Sequence, residues 1–457
     1  MTNLLAKLIA AAWNGFQQIL SAQPRSDHGL FLGNRVVEER ITTERVCISQ
    51  TSRTQHVVLV GKTGFGKSRF IWNALTQDIR ARRGFAVLDQ HSDTFHYVLR
   101  LIASEEQRTG EDLSGRLIPI RLLDPVSSVG FNPLETPPEF RFRQSSEIAA
   151  LFKKRFELST LGARTEELTR SSIHLAADAK LTLVDIPALL TSPAYLASAL
   201  KHVTNEDVRH YFLNRYGQAS EQFQATMREP LLNKLSAFIG NPAFRHLLGQ
   251  SRSTFSFEDA LDRGYWVVVD MQGGQLGPEV VTFAGLLLTW LQTAIFRRTK
   301  RRLFTIVADE VQKLVAHAAA LEVLLSESRK QGIGVLTANQ FTEQYDADVR
   351  AALLSAANFV LFRLSAPDAE KFASHLGGGR SMAESLKNLP QRHAIVKHGD
   401  QRPQHVVVPH VAELDIDYSD LYNRCRARWM RPRKEIEAEI RNRYRQVGGK
   451  EVLDAWD

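Results

Sequence analysis

The chain has 457 residues, of which 44% are hydrophobic, and a formal net charge of +8 at pH 7. This apolar content excludes a disordered chain, and the length suffices for a large α/β domain with a second unit. The modest positive charge favours an acidic partner such as DNA without requiring one.

The first 20 residues form an amphipathic pattern with a single charge, Lys7, on the polar face. The apolar face comprises Leu4, Leu5, Leu8, Ile9, Trp13, Phe16, Ile19 and Leu20. Because one lysine does not make the basic face of a typical membrane-surface helix, contact with the protein body or a partner subunit is favoured over a membrane surface. The sequence contains no run of eighteen apolar residues, so no transmembrane segment is expected. We expect a cytoplasmic protein, with peripheral attachment at the inner face of the membrane as the alternative, and the two cysteines, which have no metal-ligand spacing, agree with a reducing compartment.

Residues 61–68 fit the phosphate-loop pattern G-x-x-x-x-G-K-[ST] at every fixed position. An apolar strand pattern at 56–60 precedes the loop and a helical pattern from 68 follows it, which is the context that phosphate binding requires. The predicted nucleotide-binding residues are Gly61, Lys62, Thr63, Gly64, Phe65, Gly66, Lys67 and Ser68. Lys67 is expected to contact the β- and γ-phosphates and Ser68 to ligate Mg²⁺, so ATP and Mg²⁺ are the predicted cofactors.

Strand and helix patterns then alternate as a parallel sheet requires. Strands are predicted at 57–60, 84–88, 117–123, 266–270, 303–308, 333–338 and 359–363. Between residues 134 and 266 strand patterns disappear, and helices are predicted at 146–158, 165–179, 185–190, 193–200, 206–216 and 222–238. The expected fold is an α/β RecA-like P-loop NTPase core, mostly a parallel sheet, with an all-α insertion subdomain.

The apolar strand at 303–308 ends in Asp309 and Glu310. With a phosphate loop in the same chain, this pair predicts hydrolysis: Asp309 would hold Mg²⁺ through its water shell, and Glu310 would polarise the attacking water. Just before this strand, residues 297–302 form a basic cluster that could contact a phosphate backbone or be a solvated turn. The arginine-rich segment 424–445 is predicted to be an exposed helical tail that is solvated or docks on a neighbour or DNA.

Residues 53–135 and 225–365 resemble the HerA/FtsK superfamily of ring ATPases, specifically the conjugative DNA-transfer group of TraD- and TrwB-type coupling proteins of type IV secretion systems. The resembling strings are VGKTGFGKS at 60–68, FNPL at 131–134, LLNKL at 231–235, NP at 241–242, LSESRKQG at 325–332 and ANQ at 338–340.

The resemblance implies that Gln340 senses the γ-phosphate and that Arg329 reaches the nucleotide of a neighbouring subunit, with Lys330 as the rival for that role. It also implies a homo-oligomer, a hexameric ring around DNA, and a relaxase or secretion-channel components as further partners. The sequence departs from the family at 89–93, where DQHSD replaces the expected Asp-Pro-His-Gly-Asp. Asp89 is therefore a secondary site candidate, because Ser92 or Asp93 could instead cap a helix. The transmembrane helices that begin the membrane-anchored members have no counterpart in this sequence.

The predicted organisation has five segments: 1–52, an amphipathic helix and lead-in; 53–140, the first core part; 141–255, the helical insertion; 256–412, the second core part; and 413–457, the basic tail. The predicted function is ATP-driven DNA translocation. The alternatives are an ATPase that energises protein secretion or assembly without DNA in its pore, and a nucleotide-regulated interaction protein with little turnover.

Overall fold

The computed structural model describes residues 29–310, 324–340 and 347–448. The amphipathic helix predicted over the first 20 residues lies outside the described residues.

Eleven strands of the described chain form one sheet in the order β2-β1-β12-β11-β10-β3-β9-β8-β4-β7-β5. The strands are β1 Leu30–Val37, β2 Arg40–Ile48, β3 Val57–Val60, β4 Gly84–Asp89, β5 Leu117–Arg121, β6 Ser127–Val129, β7 Trp266–Asp270, β8 Phe304–Asp309, β9 Ile333–Asn339, β10 Asn358–Leu361, β11 His393–His398, β12 Gln404–Val407 and β13 Met430–Pro432. A separate two-stranded ribbon pairs β6 with β13.

The seven strands from β10 to β5 pair in parallel and are the strands expected from the sequence. They are apolar and buried, as in β3 and β7, because helices cover both faces of a parallel sheet. The predicted mostly parallel α/β sheet is confirmed. Since the strands are parallel, the loops that follow β3, β9, β8, β4 and β7 all lie at one edge of the sheet.

Strands β1, β2, β11 and β12 extend the sheet in antiparallel fashion and were not predicted. β2 is mostly exposed and reads RITTERVCI, which has too few apolar residues for a clear period-2 pattern. Its partner β1 is held by the helix after the phosphate loop, because Asn73 and Gln77 hydrogen bond the backbone of Phe31.

The α-helices of the described chain are α1 Gln50–Arg53, α2 Lys67–Arg80, α3 Asp93–Thr109, α4 Pro138–Arg155, α5 Ala163–Asp178, α6 Ile186–Thr191, α7 Pro193–Leu200, α8 Glu206–His210, α9 Glu221–Ile239, α10 Pro242–Leu248, α11 Phe257–Arg263, α12 Gly273–Leu276, α13 Glu279–Arg297, α14 Ala347–Leu354, α15 Ala366–His375, α16 Gly379–Asn388, α17 Ser419–Trp429 and α18 Arg433–Gly448. A π-helix, Tyr211–Tyr216, extends α8. Between β6 and β7 the chain forms only helices, as the sequence predicted.

The C-terminal helix α18 is not the exposed tail that its charge indicated. Ile436, Ile440 and Tyr444 are buried, so the apolar stripe of the helix packs against the chain's own helical region. The Tyr444 hydroxyl donates to the Val184 carbonyl at 2.9 Å. The stripe was not recognised from the sequence because charged residues, mostly arginine and glutamate, surround its three apolar members.

Helix α13 has the length and hydropathy of a membrane span, but 72% of its most apolar window is buried inside the protein. The bent pair 183–191 and 193–200 meets the same criteria only if its halves, 118° apart, are counted together. Burial of α13 against α4 accounts for its apolar composition, since the core helix of a large protein is hydrophobic on most sides.

Candidate active site

The phosphate loop joins β3 to α2 and adopts backbone angles that its glycines allow. Gly64 and Gly66 have φ values of 83° and 121°, where a side chain would be strained. A Cβ at position 61 would lie 2.6 Å from Cβ of buried Phe362. The loop thus needs glycine both for its turn and for its close contact with the core.

Three further segments hold the loop. Gly61 N–H donates to the Asn339 carbonyl at 3.1 Å, which ties the loop to the end of β9. The Gln391 side chain donates to the Gly64 carbonyl at 2.9 Å. The Arg363 guanidinium lies 4.6 Å above the Phe65 ring. Sequence reasoning missed Arg363 and Gln391, because they are distant in sequence and belong to no motif.

Lys67 lies at the start of α2, and its ammonium donates to the Gly61 carbonyl at 2.6 Å. Burial lowers the pKa of Lys67, and the carboxylates of Asp309 and Glu310 oppose that effect. Burial raises the pKa of Asp309, and Lys67 opposes it. The predicted lysine and acidic pair are therefore close enough to interact electrostatically, although they come from distant parts of the chain.

The residues at this edge fit a nucleotide with Mg²⁺. The glycine turn exposes backbone N–H groups at the N-terminus of a fourteen-residue helix, which attracts phosphate. Ser68 is exposed at that terminus and Asp309 ends the nearby strand β8, so hydroxyl and carboxylate oxygens are supplied, the ligands that Mg²⁺ prefers.

Glu310 follows β8 in the left-handed backbone region, with a φ of 53°. A non-glycine residue in this region is strained, and such strain concentrates at functional sites. Gln340, directly after β9, donates from Nε2 to Glu310 Oε1 at 3.0 Å. The expected sensor and the expected general base are thus in direct contact.

His91, in the loop after β4, approaches Glu310 from the opposite side, with its Nε2 3.3 Å from Glu310 Oε2. In the sequence His91 is only one residue of the segment 89–93, and no role for it follows from that position. The order of strands in the sheet accounts for the contact, because β4 and β9 are the two neighbours of β8.

Asp89 ends β4 and accepts two backbone N–H groups, from His91 at 3.0 Å and Phe95 at 2.8 Å. The expected alternative of a side-chain cap from Ser92 is wrong: Asp89 satisfies the first turn of α3, and the Ser92 hydroxyl instead donates to Asp270 Oδ1 at 2.7 Å. Burial raises the pKa of Asp89 to about 6, and the neighbouring carboxylates Asp270 and Asp309 add to the increase.

Arg329 and Lys330 are exposed on the turn Ser328–Gln331, just before β9 begins. Gln340 lies beyond the other end of this seven-residue strand, so about 20 Å of strand separates Arg329 from it. Neither basic residue is near the phosphate loop of its own chain.

The basic cluster 297–302 is partly structural. Buried Arg298 donates to the carbonyls of Leu261, Gln331 and Arg302, and Arg297 forms an ion pair with Glu258 at 2.5 Å. Lys300, Arg301 and Arg302 are exposed.

A parallel sheet that carries a phosphate loop, an acidic pair and a polar strand terminus along one edge defines a RecA-like P-loop NTPase fold. Comparison with solved structures confirms the expected resemblance at the level of the fold. The plasmid coupling protein TrwB in complex with the GTP analogue GDPNP is similar with a TM-score of 0.57 and 16% identity, covering 86% of this chain and 99% of TrwB.

TrwB in complex with ADP and Mg²⁺ is similar with a TM-score of 0.54 and 17% identity, covering 86% of this chain and 98% of that one. VirB4 of Thermoanaerobacter pseudethanolicus has a TM-score of 0.53 and 15% identity, covering 84% of this chain and 97% of VirB4. At these identities the comparisons establish a shared fold. No protein-family model matches the sequence, and no match was found among curated protein sequences.

Proposed function

We propose that this chain is an ATP-hydrolysing motor that resembles conjugative coupling proteins and translocates DNA through a hexameric ring. The observation that carries the proposal is the meeting of the phosphate loop, Lys67, Asp309, Glu310 and Gln340 at one edge of the sheet. The shared fold with TrwB, a plasmid and conjugative coupling protein, supports a motor of this kind, and the net charge of +8 favours DNA as the substrate that moves.

Each residue has a role that follows from its chemistry. Backbone N–H groups of 61–68 would bind the phosphates, and Lys67 would neutralise charge that builds up on the transferred phosphoryl group. Ser68 and Asp309 would hold Mg²⁺, which supplies further positive charge to the phosphates. Glu310 would accept the proton of the attacking water. Gln340 would sense the γ-phosphate and, through its hydrogen bond to Glu310, couple the presence of that phosphate to the position of the carboxylate.

Assembly completes the proposed site. Because Arg329 is exposed and lies at the sheet edge opposite its own phosphate loop, we propose that it serves a neighbouring chain as the arginine in trans, with Lys330 as the rival. The proposal also includes the five-segment division of the chain and action in the cytoplasm. It further includes contact with a relaxase or secretion-channel components.

A second candidate is an ATPase that energises protein secretion or assembly of a transfer machine without DNA in its pore. The fold is nearly as similar to VirB4 as to TrwB, with TM-scores of 0.53 and 0.57. The structural similarity therefore does not favour one of these two kinds of motor by itself.

ATP hydrolysis by the purified chain, measured with and without single- and double-stranded DNA, tests the proposal. Lys67→Ala is the negative control, because it removes the ammonium group proposed to bind phosphate. Stimulation by either DNA that vanishes in Lys67→Ala is the expected result. Robust hydrolysis that is indifferent to DNA would instead support the secretion-energising candidate, and nucleotide binding without turnover would support a switch protein.

A further inference from the structure

Glu310 is flanked by its two neighbours in the sheet, each of which contacts a different carboxylate oxygen. Gln340, after β9, donates to Oε1 at 3.0 Å, and His91, after β4, is 3.3 Å from Oε2. Both oxygens of the carboxylate are thus contacted, one from each neighbouring strand.

The loop that carries His91 is itself anchored to the end of β7. The Ser92 hydroxyl donates to Asp270 Oδ1 at 2.7 Å, and Gly273 N–H donates to the Gln90 carbonyl at 3.3 Å. The N–H of His91 itself donates to the Asp89 carboxylate at 3.0 Å. These bonds on either side of His91 hold its backbone in place, so its ring is presented to Glu310 from a fixed position.

Packing alone does not account for His91, because 53% of its side chain is exposed. Glutamate has three rotatable side-chain torsions, so each contact to its carboxylate restricts the orientation of the group. The His91 contact at Oε2 adds to the restriction that Gln340 imposes at Oε1. A general base needs such restraint, since proton transfer requires it within hydrogen-bond reach of the water.

We propose that His91 is a positioning residue for hydrolysis, which acts with Gln340 to hold the Glu310 carboxylate in the orientation that activates water. The inference rests on the proposed ATPase function. His91 would donate to the Glu310 carboxylate through Nε2–H, because a carboxylate oxygen can only accept.

The test compares His91→Ala with His91→Gln, which keeps a side-chain donor, and with His202→Ala, which removes an exposed histidine from the helical region. We expect His91→Ala to lower kcat for ATP roughly tenfold, the range of a hydrogen bond to a charged group, with KM changed less than about twofold. His91→Gln should recover part of kcat, and His202→Ala should match the wild type.

In a Glu310→Gln background, His91→Ala should cause no further loss, because groups that act through one another are not additive. Wild-type kcat in His91→Ala, or an equal loss in the Glu310→Gln background, would overturn the inference while leaving the ATPase proposal intact.

A chain without any hydrolysis would instead contradict the proposed function, and a second measurement then tests the inference by itself. Histidine ¹⁵N spectra, with the His91 signals assigned by their absence in His91→Ala, should show the Nε2–H tautomer in the wild type and a tautomer mixture in Glu310→Ala. A His91 spectrum unaffected by Glu310→Ala would show that the two side chains do not interact.

Discussion

Ser92 occupies a position where the backbone favours glycine. Its φ is 70°, in the left-handed region, and the family pattern that the sequence resembles has glycine there. The serine hydroxyl compensates by donating to the buried Asp270 carboxylate at 2.7 Å. The departure from the family motif therefore exchanges backbone freedom for a hydrogen bond.

Substitution of Ser92 separates these two effects. Ser92→Ala should lower the free energy of unfolding by about 1–3 kcal/mol, since it loses the bond to a buried carboxylate and keeps the backbone strain. Ser92→Gly should be less destabilising by about 1 kcal/mol, because glycine relieves the strain. Urea unfolding of both variants is the measurement. A glycine variant less stable than the alanine variant would show that the strain is unimportant.

Asp89 should make stability depend on pH. Its pKa is about 6 in the folded chain because of burial, above the ordinary aspartate value of 3.8, so between these values the folded state binds more protons than the unfolded state. The stabilisation from the protonated group is complete below the unfolded pKa and is lost as pH rises through 6.

Asp89→Asn removes this titration. Relative to the variant, the wild type should therefore lose roughly 2 kcal/mol of unfolding free energy between pH 4 and pH 7. Urea unfolding of both proteins at several pH values gives the difference. A difference that stays constant over this range would mean that Asp89 is ionised throughout.

The site residues that the sequence could identify are those within short motifs. Lys67 and Ser68 follow from the phosphate-loop spacing, and Asp309 and Glu310 from an apolar strand that ends in two acids. Their roles in hydrolysis stay predictions. His91 and Arg363 could not be identified in this way, because their contacts with Glu310 and Phe65 depend on the order of strands in the sheet.

At the scale of elements, helix α18 binds the helical region through an ion pair between Arg443 and the buried Asp185. Arg443 lies 3.3 Å from both carboxylate oxygens of Asp185 and donates to the Gly249 carbonyl at 2.7 Å. Asp185 is fully buried and also accepts from Tyr195 at 3.0 Å. If the Arg443 guanidinium were removed, Asp185 would keep its hydrogen bonds from Tyr195 and Thr182 but would have lost its cationic partner.

Arg443→Ala should therefore lower the free energy of unfolding by about 2–3 kcal/mol, since removing one partner leaves a buried charge incompletely paired. Arg441→Ala, two residues earlier on the same helix, is the matched control. Its side chain is 59% exposed, so a change within about 0.5 kcal/mol is expected. Equal effects in the two variants, measured by urea unfolding, would show that α18 contributes no specific contact through Arg443.

The strands and helices with strong periodicity were predicted well. The buried parallel strands are continuous apolar runs, and the six helices predicted between β6 and β7 begin within a few residues of their expected positions apart from α4, which starts at Pro138. Helices α10 and α11 in the same region were not predicted. Strands β1, β2, β11 and β12 were missed because their stability comes from pairing with one another and with β10. Pairing of this kind leaves little local pattern in the sequence.

At the scale of the whole molecule, the position of Arg329 predicts that hydrolysis depends on assembly. The activity per chain should rise with protein concentration, because a monomer lacks the arginine in trans that Arg329 of a neighbouring chain would supply. Arg329→Ala and Lys67→Ala should each hydrolyse ATP slowly. Mixed before assembly, the two variants should recover activity, since sites form with Lys67 from one chain and Arg329 from the other.

The same mixing experiment with Lys330→Ala in place of Arg329→Ala identifies which of the two residues acts in trans. Recovery only with the Lys330 variant, together with a fully active Arg329→Ala, would transfer the role to Lys330. A wild-type activity per chain that is independent of concentration, with no recovery in either mixture, would contradict hydrolysis shared between chains.

The sequence by itself determined the class of fold and the phosphate loop, because strand-to-helix context and glycine spacing are local properties of the chain. The tertiary structure alone decided what surrounds Glu310, how Asp89 and Ser92 divide their hydrogen bonds, and where the arginine-rich C-terminus lies. These depend on which strands are neighbours and which helix face is buried. Such relations join residues more than two hundred positions apart, as in His91 with Glu310 and Arg443 with Asp185, and no local pattern in the sequence encodes them.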